Sequence, residues 1–414
     1  MSQPSPPDLA GFDLRALPPG FLDDPYPWYA ALREQTPVRW MPDGSVLLTR
    51  HADCAAVYRD PGRFSSDKKT EFGPKFGVGS PLYQHHTTSL VFNDPPLHSR
   101  VRRLIAGALT HRATDAMAAG LTAWVDHLLD GLAAKAAQGA GSTPVDLIAD
   151  FAAAIPLQVI GNLLGIPAAQ RGPLRGWSLA ILGALEPQLD AAQLAHGQRA
   201  VTEFLACLRA LVIERRAHPG DPAQDVLTRL IQGEADGAPL SETELLHNCI
   251  FILNAGHETT TNLIGNALVA LLQWPDQRRR LVEQPGLIAD AVEEFLRFES
   301  SNQLGNRLST ADAVVGGVAL PAGTRITLCI GAANRDPAVF DDPDRLDISR
   351  QPQRHLAFGF GAHQCVGMSL ARLEGRVAIG RFLQRFPAYA LGGPAQRGGR
   401  ARFRGFLRVP LQGL

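Results

Sequence analysis

Cys365 has the neighbours that a reactive sulfur needs. It lies in Phe358-Gly-Phe-Gly-Ala-His-Gln-Cys365-Val-Gly367, immediately before an Ala- and Leu-rich stretch of helical period. Gly359, Gly361 and Gly367 allow positive φ and a close approach to a flat partner. A helix that begins just after the cysteine aims free N–H groups and partial positive charge at the sulfur, which favours the thiolate. A thiolate on a tight glycine loop is a soft axial ligand for a heme iron. A lone cysteine is otherwise most often a small buried hydrophobe, and it is the glycines and the helix start that set this one apart. A dinucleotide-binding reading fails, because its third glycine would fall at 364, where the residue is Gln364.

Two further groups have chemical spacing. In Ala255-Gly-His-Glu-Thr259 the His-Glu pair suggests a zinc protease helix, but that motif needs a second histidine at 261, where Thr261 stands. Glu294 and Arg297 are three apart and share one helix face; taken alone, such a pair is a solvated surface contact worth under about 1 kcal/mol.

The elements that must position these residues are mostly helices. Ser241 to Glu244 reads as a capping box, and a helical pattern runs from it to Trp274-Pro275. At 1.5 Å per residue that helix spans roughly 50 Å, enough to cross a domain. Further helices are expected over Tyr26 to Glu34, about Leu287 to Phe298 and about Gly367 to Phe386, with helix after helix up to about Ile231. Asp94-Pro95-Pro96 reads as an N-cap with prolines in the first turn. Val38 to Thr49 reads as a hairpin turning at Pro42-Asp43-Gly44, and strand-like pieces lie between Arg307 and Leu328, with a turn over Leu320 to Gly323. Residues 67–92, with Gly73, Gly77 and Gly79, read as a long loop, and an Asp/Pro loop runs from Asn334 to His355. The class is mainly α with a small β part. No repeat or linker divides the chain, so a Pro-rich segment over 1–20 is followed by a single domain over 21–414.

Composition narrows the setting. Lys plus Arg and Asp plus Glu both number 40 in 414 residues, so a general nucleic-acid binder is disfavoured. The remaining cysteines, Cys54, Cys207, Cys249 and Cys329, form no CxxC pair; an odd, sparse set fits a reducing compartment and no disulfide framework. The N-terminus lacks the basic start and apolar run of a signal peptide, and no apolar run approaches the ~20 residues of a membrane span. The sequence reads as cytoplasmic, with no membrane and no nucleic acid among its partners.

The cysteine segment resembles the signature of the cytochrome P-450 family, F-G-x-G-x-H-x-C-x-G, at every fixed position. Four more matches follow the family's order: His98-Ser-Arg-Val-Arg102, Ala255 to Thr259, Glu294-Phe-Leu-Arg297 and Asn334-Arg-Asp-Pro337. The similarity covers roughly residues 20–412, and the lack of an anchor resembles bacterial members.

The resemblance implies a helix-rich body with a smaller β-rich edge, holding heme b (iron protoporphyrin IX) with Cys365 as proximal ligand. The implied activity is insertion of one oxygen atom from dioxygen (O2) into a small organic substrate. Gly256 would remove bulk where the long helix crosses the porphyrin. Thr259 would let that helix open locally, and its hydroxyl, backed by Glu258, would relay protons; the bland reading of the threonine is back-bonding to an upstream carbonyl. His98, Arg102, Arg307 and His363 would hold the propionates, with Phe358 and Gly367 also against the cofactor and His355 either there or a plain turn histidine. Glu294, Arg297 and Arg350, with Arg345 as the runner-up, would form a buried structural trio. The substrate pocket would be lined by Leu90, Val91, Phe251, Asn254, Ala255, Asn302, Leu304 and Phe406, where Asn254 and Asn302 bond either backbone and water or a polar group of the substrate. No flavin or nicotinamide motif is present, so electrons would come from a ferredoxin-type donor with its reductase. Arg100, Arg103, Arg112, Arg372 and Arg376 are either its docking face or scattered helix-surface charge. A peroxide-driven family member, which would lack the Glu258-Thr259 pair, and a heme sensor or carrier are the alternatives.

Overall fold

A computed structural model describes residues 7–138, 144–222, 225–233, 240–351 and 354–414. Its helices are α1 (Tyr26–Gln35), α2 (His51–Arg59), α3 (Lys69–Phe76), α4 (Pro81–Thr88), α5 (Leu97–Ala108), α6 (His111–Ala136), α7 (Ala154–Leu163), α8 (Leu174–Gly183), α9 (Ala191–Ala217), α10 (Val226–Gln232), α11 (Glu242–Gln273), α12 (Pro275–Glu283), α13 (Ile288–Phe298), α14 (Ile330–Ala333) and α15 (Met368–Arg385). The main sheet is formed by β1 (Val38–Trp40), β2 (Val46–Leu48), β3 (Phe64–Ser65) and two later strands, Leu304–Ser309 and Arg325–Cys329, in a five-stranded order with Arg325–Cys329 between β2 and Leu304–Ser309. The architecture is mainly α with a small β part, as the sequence indicates.

α11 is the axis of the molecule. Ser241 Oγ accepts the Glu244 N–H (3.2 Å), and the Glu244 carboxylate accepts the Ser241 N–H (2.8 Å), which fixes the start of the helix. Trp274 closes it, and Pro275 opens α12. Its first half (Leu246, Ile250, Leu253) packs into one core with Leu82, Ile160 and Phe204. Its second half (Leu263, Ile264, Leu268) packs into another with Phe151, Phe295 and Phe382. Between the two lies a polar stretch from Asn254 to Asn262, which is the part of the helix free to carry chemistry.

Two local expectations change. Residues 67–92 are not a loop: α3, α4 and a 3₁₀ turn at Leu90–Phe92 occupy them, because Phe72, Phe76 and Leu82 are buried against the first core. Asp94 does not cap α5, because its carboxylate is taken by the Ser66 N–H (3.0 Å) and by the Ser65 hydroxyl, and the residue before the helix is Pro96. Leu9, Phe12 and Leu14 of the N-terminal segment are buried with Phe21, Tyr29 and Leu32, so this stretch is packed onto the body.

Candidate active site

The cysteine loop is held by its own backbone. The Cys365 N–H donates to Phe358 O (2.8 Å) and the Gln364 N–H to Gly361 O (3.0 Å). Gly359 and Gly361 take φ of +63° and +71°, where glycine alone is at ease. A Cβ on Gly361 would also strike the Tyr58 carbonyl, so the loop presses onto the end of α2. Gly367 departs from expectation: its φ is −91° and a Cβ there would meet nothing, so it is a glycine of open space, not of strained backbone. The Cys365 side chain retains accessible surface although protein encloses it, the mark of a group lining a concave space. That enclosure pushes its thiol pKa up, against the pull of the Gly367 N–H, Arg102 and Arg372. The helix start therefore supplies a hydrogen bond to sulfur without outweighing burial.

On α11, Phe251, Ala255 and Thr259 keep accessible surface within an otherwise packed helix; successive fourth residues make one stripe. Thr259 Oγ1 donates to Ala255 O (2.6 Å) and the helix runs unbroken, so the expected local opening is replaced by back-bonding. The Thr259 carbonyl instead receives the Ser301 hydroxyl (2.8 Å). Gly256 also answers a need within the protein: a Cβ there would lie 2.6 Å from Ile160 Cδ1, so the glycine admits α7.

Glu258 is buried, with Oε1 bound to Arg400 Nη1 (2.6 Å) and Oε2 without a partner. Burial raises its pKa to about 7, even though Arg400 opposes the shift. Arg400 also donates to Leu179 O of α8 (2.8 Å). Glu258, Arg400, His257, Thr261 and Asn262 line a cavity of about 20 Å³, room for about one water.

His98, Arg102, Arg307 and His363 come together as expected. The two histidine rings lie 4.0 Å apart, and each has a buried Nε2 without a partner. Burial, then Arg307, His98 and Arg102, push the His363 pKa down to about 3. Burial and the neighbouring Arg102 lower that of His98. Two arginine cations and two neutral histidines with orphaned nitrogens fit the two carboxylates of a heme. His355 is elsewhere, 3.3 Å from Glu293, which also takes both forks of Arg372 (2.7 and 2.8 Å). Phe358 lies under the Arg372 guanidinium, 4.9 Å from ring centre to carbon.

Arg297 is fully buried and bonds Glu294 twice (2.7 and 2.8 Å) and the carbonyls of Asn334, Pro343 and Arg345 (2.9, 2.8 and 3.2 Å). Arg350 Nε completes the trio at 3.2 Å from Glu294. Arg345 contributes only its carbonyl. Asn334 then passes the contact on, accepting the Leu356 N–H (2.6 Å) just ahead of the cysteine loop.

Known proteins place this arrangement. The Cytochrome P-450 family model matches residues 189–285 and 286–391. The vitamin D(3) 25-hydroxylase of Pseudonocardia autotrophica is 40% identical over 90% of this chain and 88% of its own length. The chain belongs to the cytochrome P-450 family. The 6-deoxyerythronolide B hydroxylase of Saccharopolyspora erythraea is 36% identical over 90% of this chain and 91% of its own. The crystal structure of the BioI P-450 with an acyl carrier protein ligated to hexadec-9Z-enoic acid superposes with a TM-score of 0.88 at 33% identity, covering 95% of this chain and 99% of that one. This P-450 is accordingly a heme b monooxygenase that inserts one atom of O2 into an organic substrate.

The pocket residues expected of this P-450 divide. Leu90 is buried, and its N–H donates to Asn248 Oδ1 (2.9 Å); Val91 is half-buried. Asn254 is buried with neither amide atom bonded, and Asn302 has an unpartnered Oδ1 while its backbone bridges Phe403. Leu304 is buried, and its carbonyl accepts Arg402 Nη1 (2.6 Å). Phe406 is a correction: it packs in the second core under Arg397 (4.1 Å) and lines the Glu258 cavity, behind α11. Phe403 of the same segment bridges Asn302 through its backbone and packs in the first core, and it too lines the Glu258 cavity.

Proposed function

We propose that this P-450 uses Cys365 as the proximal ligand, His98, Arg102, Arg307 and His363 for the propionates, and Glu258 with Thr259 to deliver protons on the opposite side, all within one domain over residues 21–414. Heme, when bound, supplies the activation of O2. The chain's own work is to hold protons and exclude water. With a pKa of about 7 and a free Oε2, Glu258 can both take and give a proton near neutrality. The Thr259 hydroxyl, on the next residue, is the second station. The carrying observation is this half-bonded acid beside a one-water cavity; it favours the O2-dependent reading over a peroxide-driven one.

Electrons are assigned to a ferredoxin-type donor with its reductase, in the cytoplasm. Among the described residues no helix is long and apolar enough to cross a membrane. Of the five arginines of the expected docking face, Arg103, Arg112 and Arg376 are exposed, and Arg100 and Arg372 also bond Glu244 and Glu293. The substrate is assigned as amphipathic, because Asn254 and Asn302, the two polar members of the otherwise apolar set expected to line the pocket, have unpartnered amide atoms. NADH consumption and product are measured with a ferredoxin, its reductase and O2, against peroxide alone, over a range of salt. Coupled turnover that falls steeply with salt supports the reading. Turnover driven only by peroxide refutes it.

A further inference from the structure

Beyond the propionate group lies a second set of enclosed cations that the monooxygenase reading does not use. It is assembled from α3, the turn after α8 and the C-terminal segment. Lys75 Nζ donates only to the carbonyl of Glu186 (2.6 Å). Arg402 donates to the carbonyls of Leu304 (2.6 Å) and Leu185 (3.3 Å). Among the described residues neither forms an ion pair with a carboxylate. The third cation, Lys68, is buried and does have an acid, Glu71, at 3.0 Å.

The two nearby acids, Glu186 and Glu71, favour both cations through space, but their oxygens are engaged elsewhere. The Glu186 carboxylate accepts the backbone N–H groups of Ala401 (2.9 Å) and Arg402 (3.2 Å). Burial works to raise the Glu71 pKa, but Lys68 holds it below its ordinary value. Three cations thus face two carboxylates. Burial lowers the Lys75 pKa to about 8, the sign of an ammonium short of a counter-charge. The buried His86, with an unpartnered Nε2, feels both Lys75 and Arg402. Neither cation is sealed: Arg402 and Lys75 are enclosed by protein yet keep accessible surface, as Cys365 does. Arg402 also stands beside Phe403, whose backbone bridges Asn302, and holds the carbonyl of Leu304, so the set borders the pocket. The heme carboxylates do not require it, since Arg102 and Arg307 already match their two charges.

We propose that Lys75 and Arg402 receive the carboxylate of an elongated organic acid whose apolar body runs along Phe251 and Ala255. This rests on the reading of that pocket as the substrate chamber. An enclosed cation that lacks an acid is costly, and a ligand carboxylate supplies the missing charge with two charge-assisted hydrogen bonds. Phe251 and Ala255 give the accessible wall of α11 along which the chain lies.

The test titrates the heme-loaded protein with linear saturated acids of graded length and with the primary alcohols of the same lengths, following the heme spectrum and, independently, the heat of binding. Wild type should bind the best acid at least about tenfold tighter than its alcohol. Lys75→Met and Arg402→Gln should each remove that preference and leave the affinity for the alcohol unchanged. Unfolding of each variant is measured alongside, because both side chains also tie loop carbonyls. Equal binding of acid and alcohol by wild type overturns the proposal while leaving the chamber intact. So does a variant that loses stability yet keeps the preference. If neither series binds, the proposal falls together with the reading of the chamber.

Discussion

Glu294→Gln removes one charge and almost no volume, and the structure says how much that charge matters. Glu294 accepts two hydrogen bonds from Arg297, one from the Asp347 N–H (2.9 Å) and one from Arg350. Arg297 and Glu294 both have side chains with no exposure, so the substitution leaves a guanidinium charge in the core with three carbonyls and no acid. Removing one partner of a buried pair costs about 3–5 kcal/mol. Arg350 is at the rim, with 11% side-chain exposure, and Arg350→Gln should cost less, about 1–2 kcal/mol. Urea unfolding at fixed heme loading gives both values. Heme retention should fall with stability in the Glu294 variant, because the contact continues through Asn334 to Leu356 at the start of the cysteine loop. A Glu294 variant within about 1 kcal/mol of wild type, or an Arg350 variant equally damaged, would refute the reasoning.

Three further outcomes follow from the site and its surroundings. Thr259→Ala should still bind substrate but divert reducing equivalents to peroxide, with coupled turnover down roughly 10²-fold; unchanged product per NADH would remove the hydroxyl from the relay. Arg400→Gln takes away the cation that opposes the rise in the Glu258 pKa, so any rate limb that tracks Glu258 ionisation should move from about pH 7 to higher pH, and an unmoved limb counts against Glu258 as the titrating group. Glu374 is buried with an unpartnered oxygen, and burial alone raises its pKa to about 8. Its folded value lies above the unfolded one, so stability is highest below about pH 4.5 and is lost as pH rises through about 8. Glu374→Gln should flatten that loss, several kcal/mol in order of magnitude at about 1.4 kcal/mol per unit, as read by urea midpoints at both ends of the range; equal slopes would exclude Glu374 as the cause.

What the sequence made legible was local. The ends of α11 were readable because the capping box and Pro275 act within a few residues of themselves, and the cysteine loop because its glycines adjoin the sulfur. α3 and α4 were not, because Gly73, Pro74, Gly77 and Gly79 argue for a loop and only the burial of Phe72, Phe76 and Leu82 in a distant core makes helices of them. The room Gly256 makes for Ile160 was hidden for the same reason, since Ile160 is on another helix. Of Arg350 and Arg345, it is the Arg350 side chain that reaches Glu294, while Arg345 offers its carbonyl. Arg400, 142 positions from Glu258, and Ser301, 42 from Thr259, carry no local signal, and only the fold brings them to the acid and the threonine. Phe406 shows the limit of placing a turn without its register, because side chains alternate along a strand and a small slip exchanges the two sides.

The central claim is that Cys365 binds the heme iron as a thiolate, and the spectrum of the reduced, CO-bound protein tests it most directly. Wild type should show the long-wavelength band diagnostic of thiolate ligation, and Cys365→Ala should lose it even where heme remains bound. A Cys365→Ala protein that keeps the band would mean another residue is the ligand and would contradict the account.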